Sequence, residues 1–537
     1  MASRLRSCID TLRHFSYNKA MADIAKGVRS FTIGTAVSRI LGMVRESVIA
    51  ALYGAGLSTD AYYVAFRIPN LLRDLFAETA LSAAFIPVLA DEKNKSKNAQ
   101  NLLASNVFNA LFLIVGLITI AGIFASPLLV RFFAFGFGTI PGKMDLTTQL
   151  TAIMFPFLLF ISFAAWAMSY LNSEGAFFVP SVAPAFFNLF SILLPLISYG
   201  WLVHRHLNPI YALAVGVLLG GLFQFLIQLP RLYQKGFRYT LYLNFRDPNL
   251  IKMLGLFLPV AIGISGVFIN TTINTVLTTF LEEKSVTWLM LAFRITNLPM
   301  GLFGEAVGAV ALATLARQVA GGQKNEIRDT LFDSLKLVFF LTISTSVIIA
   351  FLAHPICRII YEHGKFTAFD TWATSQALIL YVLGIPFTAG IRNLAAVYYA
   401  HKDAKIPMWS SLLGIGINIG LSVILMRVIG YRAFPLAITI AALANITFLL
   451  TRVHRKIGTY DIKPLLHYCV LLAVASAAAG LCGWLLNTYL ARVSTAFYFQ
   501  VINLLGSGSA ACIVFYILCR IMGLKEVDDY LRRLLKK

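Results

Sequence analysis

Ala65-Phe-Arg-Ile-Pro-Asn-Leu-Leu-Arg-Asp-Leu-Phe-Ala-Glu78 returns 227 residues later as Ala292-Phe-Arg-Ile-Thr-Asn-Leu-Pro-Met-Gly-Leu-Phe-Gly-Glu305, with nine of the fourteen positions unchanged. Each copy lies within a long apolar segment, yet each keeps an Arg and a Glu. A charge at the centre of a bilayer costs roughly 2.5–3.5 kcal/mol on insertion scales. Charges placed twice, in register, inside apolar segments predict two lobes that face each other across a polar cavity.

The surrounding chain agrees with a membrane setting. It is 58% hydrophobic and only 13% charged over 537 residues, with a mean hydropathy of +0.76. Soluble domains carry about 25% charged residues, so the class is polytopic membrane protein. The net charge of +21 would suit nucleic acid. Lys and Arg concentrate in loops and termini, however, as membrane topology demands, and no nucleic-acid partner is expected. The six cysteines show no CxxC spacing, which argues against a metal centre or a disulfide framework. Residues 1–27 are basic (Arg4, Arg6, Arg13, Lys19, Lys26) but lack a compact apolar core followed by a cleavage site. They read as a cytoplasmic segment resting on lipid headgroups.

A helix needs about 20 apolar residues to cross a bilayer. Fourteen such spans are expected, at 28–53, 61–89, 102–133, 147–172, 179–203, 209–232, 250–281, 286–318, 330–360, 370–400, 407–430, 433–453, 464–490 and 497–522. The loops after even-numbered spans hold about twice the Lys and Arg of the alternate set. That places both termini in the cytoplasm, which requires an even count. The repeat extends beyond its core. Ala125-Ser-Pro127, Gly136 and Thr139 return at offset 228 as Ala353-His-Pro355, Gly364 and Thr367, and Pro180 matches Pro407. Spans 1–6 and 7–12 are therefore two copies of one unit running in the same direction, a known transporter layout. The expected divisions are a basic segment 1–27, an N-lobe 28–235, a C-lobe 236–460, two added helices in 461–523 and a basic tail 524–537. The fold class is all-α.

Polar residues inside these spans are the candidate site. Span 1 carries Arg39, Arg45 and Glu46, with Gly42 between the arginines. In span 2, Arg67, Asn70, Asp74 and Glu78 fall at i, i+3, i+7 and i+11, one helical stripe. Span 8 repeats it as Arg294, Asn297, Gly301 and Glu305, and Arg73 lies off the stripe. Pro69 and Pro299 each remove a backbone hydrogen bond and predict kinks. Any single arginine can serve as structural glue paired with an acid. As a set, Arg39, Arg45, Arg67, Arg73 and Arg294 outnumber Glu46, Asp74, Glu78 and Glu305. The surplus calls for an anion, and the planar guanidinium fork matches phosphate oxygens, diphosphate above all. Asp60 reads as the N-cap of span 2, with a gate role as the alternative. Asn270, Asn274, Asn418 and Asn445 read as interhelical hydrogen-bonding groups. A sodium site there lacks the carboxylates that hard cations favour. No HExxH, Walker A or Ser/His/Asp pattern occurs, so neither an enzyme nor a cofactor is expected.

Ser38-Arg-Ile-Leu-Gly42, Gly54-Ala-Gly56, Thr59-Asp-Ala61, Phe66-Arg-Ile-Pro-Asn-Leu-Leu-Arg73, Phe76-Ala-Glu78 and Ala84-Phe-Ile-Pro-Val-Leu-Ala90 resemble the MurJ (MviN) family of lipid II flippases. That family belongs to the multidrug/oligosaccharidyl-lipid/polysaccharide (MOP) exporter superfamily. Gly364-Lys-Phe-Thr367 and Tyr399-Ala-His-Lys-Asp-Ala-Lys-Ile-Pro407 resemble its second-lobe signatures. The resemblance covers about 28–460. It implies transfer of the undecaprenyl-diphosphate-linked peptidoglycan precursor, lipid II, from the inner to the outer leaflet of the bacterial cytoplasmic membrane. It carries the essential cavity arginines onto Arg39, Arg45, Arg73 and Arg294, the essential acid after span 1 onto Asp60, and the acid of the Phe-Ala-Glu motif onto Glu78. It also implies a groove for the polyprenyl tail at the last two helices, and a transporter acting as a monomer. Phe293, Asp74 and Thr79 depart from common family residues, and the lobe-two carboxylates of sodium-binding members are not evident. The competing readings are a flippase for another polyprenyl-diphosphate oligosaccharide, a MATE-like cation-coupled exporter, and a membrane enzyme polymerising the same precursor.

Overall fold

The computed structural model describes residues 34–73, 79–458, 460–494 and 496–524. The basic segment 1–27, Asp74, Glu78 and tail residues 525–537 lie outside the described residues. Among the described residues the regular structure is helical, without strands. Ten helical stretches are long and apolar enough to cross a membrane. One of them, Lys405–Ile457, holds two helices joined by a tight turn at Gly430–Arg432. Together with the helix over 34–53, the Leu57–Arg73 and Thr79–Lys95 helices and Pro248–Thr278, this is consistent with fourteen spans.

The chain forms two compact units. One contains residues up to Leu52 together with Ala61–Ile269; the other contains Tyr53–Asp60 and everything from Asn270 onward.

The first unit runs α1 (34–53), α2 (Leu57–Arg73), α3 (Thr79–Lys95), α4 (Lys97–Phe124), α5 (Ser126–Phe133), α6 (Lys143–Met154), α7 (Phe157–Ser173), α8 (Phe178–His204), α9 (Ile210–Leu226), α10 (Leu229–Gln234) and the first part of α11 (Pro248–Thr278). Ser96 starts α4 by accepting the Ala99 N–H at 3.0 Å. Proline punctuates several of the joints. Pro127 sits in the first turn of α5, and Pro156 precedes α7. In lipid, helices gain little from hydrophobic burial against one another, so close backbone approach matters more. Gly216 and Gly220 of α9 press on α8: a Cβ on Gly220 would lie 2.8 Å from the Phe187 Cα. Leu81, Phe85, Ala104, Trp166 and Tyr170 form the core of α3, α4 and α7. The Trp166 indole N–H donates to the Ala104 carbonyl at 3.1 Å.

Where the helices of this unit meet the Lys/Arg-rich loops, Glu174 at the end of α7 gathers Gln100 at 2.7 Å, Lys97 at 3.1 Å and Lys93 at 3.2 Å. Burial alone would raise its carboxyl, but these hydrogen bonds outweigh that and hold it below the usual carboxylate range.

The second unit continues with α12 (Ser285–Pro299), α13 (Glu305–Ala320), α14 (Lys324–Phe351), α15 (Ala353–Tyr361), α16 (Ala368–Val382), α17 (Ile385–Ala400), α18 (Lys405–Ile429), α19 (Ala433–Ile457), α20 (Lys463–Leu490) and α21 (Phe497–Ile521). Helices α13, α14, α17 and α19 share a core that includes Leu315, Leu335, Val338, Val397 and Leu449. The two added helices join it through Phe340 of α14, packed with Tyr468, Leu472 and Phe515.

The internal repeat is visible in the joints themselves. α5 and α15 begin at Ser126 and Ala353, and α8 and α18 begin at Phe178 and Lys405, each 227 apart. α7 and α17 begin at Phe157 and Ile385, 228 apart. The proline kinks expected in both copies differ between them. α2 stays helical through Pro69. α12 ends at Pro299 and passes through a π-turn at Met300–Gly304 before α13. A π-turn carries an extra residue, so the stripe expected from Arg294 to Glu305 does not hold: Glu305 is rotated roughly a quarter turn off it.

Candidate functional site

In the first unit, α1 presents Arg39 and Arg45 very differently. Arg45 is buried and 5% exposed, beside Glu46 at 1%. Its Nη2 lies 2.5 Å from Glu46 Oε1, and its Nη1 donates to Asn188 Oδ1 at 3.0 Å. The guanidinium also lies 5.1 Å from the Phe187 ring centre. Tyr63 donates to the other Glu46 oxygen at 2.7 Å, and Asn188 donates back to the Ser38 carbonyl at 3.0 Å. The pairing of Arg45 with Glu46 is therefore made within α1 and braced by α2 and α8. Gly42 leaves the room: a Cβ there would already touch Asn188 at 3.7 Å. Two charges removed from water this way need near-complete compensation, and here Glu46 and Asn188 supply it, although Arg45 Nε finds no acceptor among the described residues. Arg39, six residues earlier, is half-buried and has no hydrogen-bond or ionic partner among the described residues.

On α2, Arg67, Asn70 and Arg73 are half-buried. Arg67 and Arg73 engage neighbours, while Asn70 Oδ1 is buried without a hydrogen-bond donor among the described residues. Glu78, the acid of the first stripe, lies outside the described residues.

In the second unit, Asp60 does not cap its own helix. α2 begins at Leu57, where the Gly56 N–H is taken by Thr59 Oγ1 at 2.9 Å. That places Asp60 inside the first turn, with its carboxylate directed at the start of α12. It accepts from the Lys284 N–H at 2.9 Å, the Thr287 N–H at 3.0 Å and the Thr287 hydroxyl at 2.7 Å. It therefore satisfies donors that the N-terminus of α12 would otherwise leave bare. Asp370 secures the same corner from α16. It accepts from Lys284 Nζ at 3.3 Å and the Trp288 indole at 3.0 Å, and closes a capping box with Thr367. Gly54 also belongs to this corner. Its φ is +69°, and a Cβ there would meet the Lys365 carbonyl oxygen at 2.8 Å.

Further along α12, Arg294 is half-buried and engaged with neighbours, whereas Asn297 is exposed. Glu305, past the π-turn, pairs with Arg392 of α17 at 3.2 Å, both about half exposed. Arg392 carried no motif in the sequence and lies outside the fourteen-residue core of the repeat, so only the packing of α13 against α17 brings it forward. Asn188 and Asp370 escaped for the same reason: each acts on a residue far from it in sequence.

The Asn418 amide donates to Asn270 at 2.8 Å and Asn274 at 3.1 Å, and Ser410 bonds to Asn445. Interhelical bonding is thus what these asparagines do. Among the described residues no three His, Cys, Asp or Glu side chains gather as a metal site would require. A groove of about 500 Å³ lies along α21 against α14 and α15, lined by Leu352, Ile356, Leu505, Gly508 and Ile513.

Comparison with known proteins follows the same line. The family model described as "Lipid II flippase MurJ" matches residues 49–504. The chain is 33% identical to a probable lipid II flippase MurJ of Vibrio cholerae over 88% of its own length and 91% of that protein. It is 35% identical to one of Rhizobium tropici over 84% and 85% of the two chains. It is 33% identical to the lipid II flippase MurJ of Burkholderia cenocepacia over 84% and 88%. Among solved structures it resembles a lipid II flippase MurJ in an inward closed conformation, with a TM-score of 0.76, 28% identity, and 93% and 99% coverage. It shares its fold with an inward-facing MATE-family multidrug transporter of the MOP superfamily, with a TM-score of 0.65, 14% identity, and 81% and 100% coverage.

Proposed function

The chain belongs to the MurJ family of lipid II flippases, and from that premise we propose that it carries lipid II across the bacterial cytoplasmic membrane for peptidoglycan assembly. It is a multi-pass transporter of the MOP superfamily. The finer reading is alternating access, with both termini cytoplasmic and a single chain as the working unit. Arg39, Arg45, Arg73 and Arg294 are the proposed diphosphate ligands, each taken from the family motif it matches. Asp60, Arg67, Glu78, Glu46, Asn70, Asn297 and Glu305 support or gate them.

The observation that carries the ligand assignment is Arg39. A half-buried guanidinium in an apolar span, with no partner among the described residues, costs several kcal/mol and has an open claim on an anion. Arg45 is supported less directly, because Glu46 already neutralises it; on this reading the diphosphate competes with Glu46 for the same fork. The apolar groove along α21 suits the polyprenyl tail, which has no polar group to place there. Transfer of two diphosphate charges out of a negative interior draws about 2.3 kcal/mol per charge per 100 mV from the membrane potential.

The test is leaflet-resolved labelling of lipid II in cells depleted of the protein and complemented with variants. Outward lipid II should vanish on depletion, return with the wild type, and stay absent with Arg39→Ala or Arg294→Ala at equal protein level. Normal outward labelling after depletion would overturn the function. Full rescue by both variants would overturn the ligand assignment alone. The likeness to MATE transporters extends to fold only, and a cation-coupled exporter would be indifferent to lipid II supply.

A further inference from the structure

Helix α4 carries polar residues where its sequence should already be entering lipid. Asn101, Ser105 and Asn109 recur every four residues, with Asn106 beside them, and all four are buried. The last, Asn109, lies three turns into the helix, about 18 Å from its Lys97 end. What buries them is the segment that follows α10. Residues 237–244 have no regular secondary structure and lie along this face of α4.

The attachment is made largely through the backbone. Asn101 donates to the Gly236 carbonyl at 3.0 Å, and Asn109 to the Tyr242 carbonyl at 2.9 Å. Ser105 Oγ accepts from the Thr240 N–H at 3.1 Å. Asn106 grips both sides of Asn244, accepting its N–H at 2.8 Å and donating to its carbonyl at 3.1 Å. Asparagine side chains thus stand in for a neighbouring strand. Because α4 takes up backbone groups of this strap, several of its side chains are left facing outward. Leu241, Leu243 and Phe245 are all exposed, Leu241 at 88%, and Arg238 and Arg246 on either side are exposed as well, whereas Tyr239 turns back on α4, its hydroxyl donating to Asn109 Oδ1 at 2.9 Å.

Three exposed apolar side chains in alternate positions are costly in water, at about 25 cal/mol per Å² of apolar surface. The rest of α4 indicates what lies beyond them. Leu113, Leu117, Ile120 and Phe124 are exposed on the side of the helix that the asparagine ladder occupies nearer its start. That apolar side is the lipid-facing surface of a span, and the strap lies over its polar end. Its outward side chains therefore meet the boundary between acyl chains and headgroups. Aromatic and arginine side chains favour that layer, and each basic residue near an anionic surface contributes about 1 kcal/mol. The loop-charge count puts this end of α4 on the cytoplasmic side.

We propose that the strap 237–246, held by the asparagine ladder of α4, is an interfacial binding surface for anionic phospholipid headgroups. Its apolar side chains seat in the lipid boundary, and Arg238 and Arg246 hold the lipid phosphates. This is separate from the lipid II reading: the ligand is a bulk phospholipid, and none of the proposed diphosphate ligands takes part.

The experiment places a benzoylphenylalanine photocrosslinker at Leu241 in the full chain, in vesicles of equal phosphatidylethanolamine and phosphatidylglycerol. Mass spectrometry then identifies what is captured. The expected result is phospholipid adducts with phosphatidylglycerol favoured about five-fold or more, falling to parity in an Arg238→Gln/Arg246→Gln background. Equal capture of the two lipids by the wild-type strap would overturn the proposal. So would adducts to protein, including this chain's own residues 1–33, or no adduct at all. The same crosslinker at Leu243 provides a second reporter should the first position disturb the strap.

Discussion

Asp60 and Thr287 occupy equivalent positions of the two repeats, 227 residues apart, and they are bonded to each other: the carboxylate of the first accepts both the N–H and the hydroxyl of the second. The contact decides how α12 begins, because the N–H of the residue preceding it, Lys284, and that of Thr287 in its first turn both depend on one side chain from another part of the sequence. Asp60→Ala leaves those donors bare, and a lost cap costs about 0.5–2 kcal/mol. Amide exchange at Lys284 and Thr287 should accelerate by about 2- to 30-fold. Asp60→Asn should show a smaller effect, since one oxygen remains but an amide N–H then faces the Lys284 N–H. Unchanged exchange in Asp60→Ala would refute the capping role.

The buried pair in α1 makes a different forecast. Removing Glu46 alone strands a buried guanidinium, which costs roughly 3–5 kcal/mol. Glu46→Ala should therefore lower the amount of folded protein sharply. Arg45→Met combined with Glu46→Met should recover much of that amount, because no charge is left uncompensated. If Arg45 is a substrate ligand, the double variant accumulates but does not flip lipid II. Restored flipping would reduce Arg45 to a structural element.

Glu305 and Arg392 are half-exposed, and pairs of that kind contribute about 0–1 kcal/mol. Arg392→Glu should thus leave thermal stability nearly unchanged. If the pair positions the exit of the π-turn, flipping lost in Arg392→Glu should return when Glu305→Arg is added. A charge-swapped protein as inactive as the single variant would show that position 392 itself needs its cation.

The α8–α9 contact tolerates no extra atoms at Gly220. Gly220→Val should cost about 1–3 kcal/mol through overpacking, seen as a drop of several degrees in thermal denaturation in detergent. At Gly116 of α4 no described residue lies within 4 Å of where a Cβ would sit. Gly116→Ala should accordingly be neutral or gain up to about 1 kcal/mol from helix propensity.

Glu174 sets a pH dependence. Its folded-state carboxyl is depressed by Gln100, Lys97 and Lys93 despite the opposing effect of burial. Its stabilising contribution is therefore complete above the unfolded carboxylate range, near pH 4.3, and disappears as pH falls through the lower folded value. Wild-type protein should lose thermal stability on acidification through that window. Glu174→Gln should start lower at neutral pH and change less. Parallel curves for the two proteins would contradict the assignment.

Much of the architecture could be read from the chain because it depends on local chemistry. Apolar length gave the spans. Pro127, part of the repeat, marks a joint where a ring cannot fit the preceding turn, and the offset of 227 reappears in helix starts. The site was legible only as a list of residues. Arg45 and Glu46 are neighbours in sequence, and their pairing was foreseeable. Asp60 looked like the cap of its own helix because nothing in a linear reading announces that Lys284 and Thr287 will be closer. The stripe from Arg294 to Glu305 assumed α-helical register, and the π-turn after Pro299 removed that assumption. The asparagines of α4 were absorbed into a span because their neighbours are apolar, while their partner lies more than a hundred residues downstream.

The bond between Asp60 and Thr287 also bears on ancestry. Had the two repeats once been separate, identical proteins, like would have met like at this point: carboxylate against carboxylate, repelling, or hydroxyl against hydroxyl, too weak to seat a helix. An acceptor facing a donor at matching positions can be encoded only once the two copies are separately encoded and mutate independently. This corner could therefore have been perfected only after the duplication.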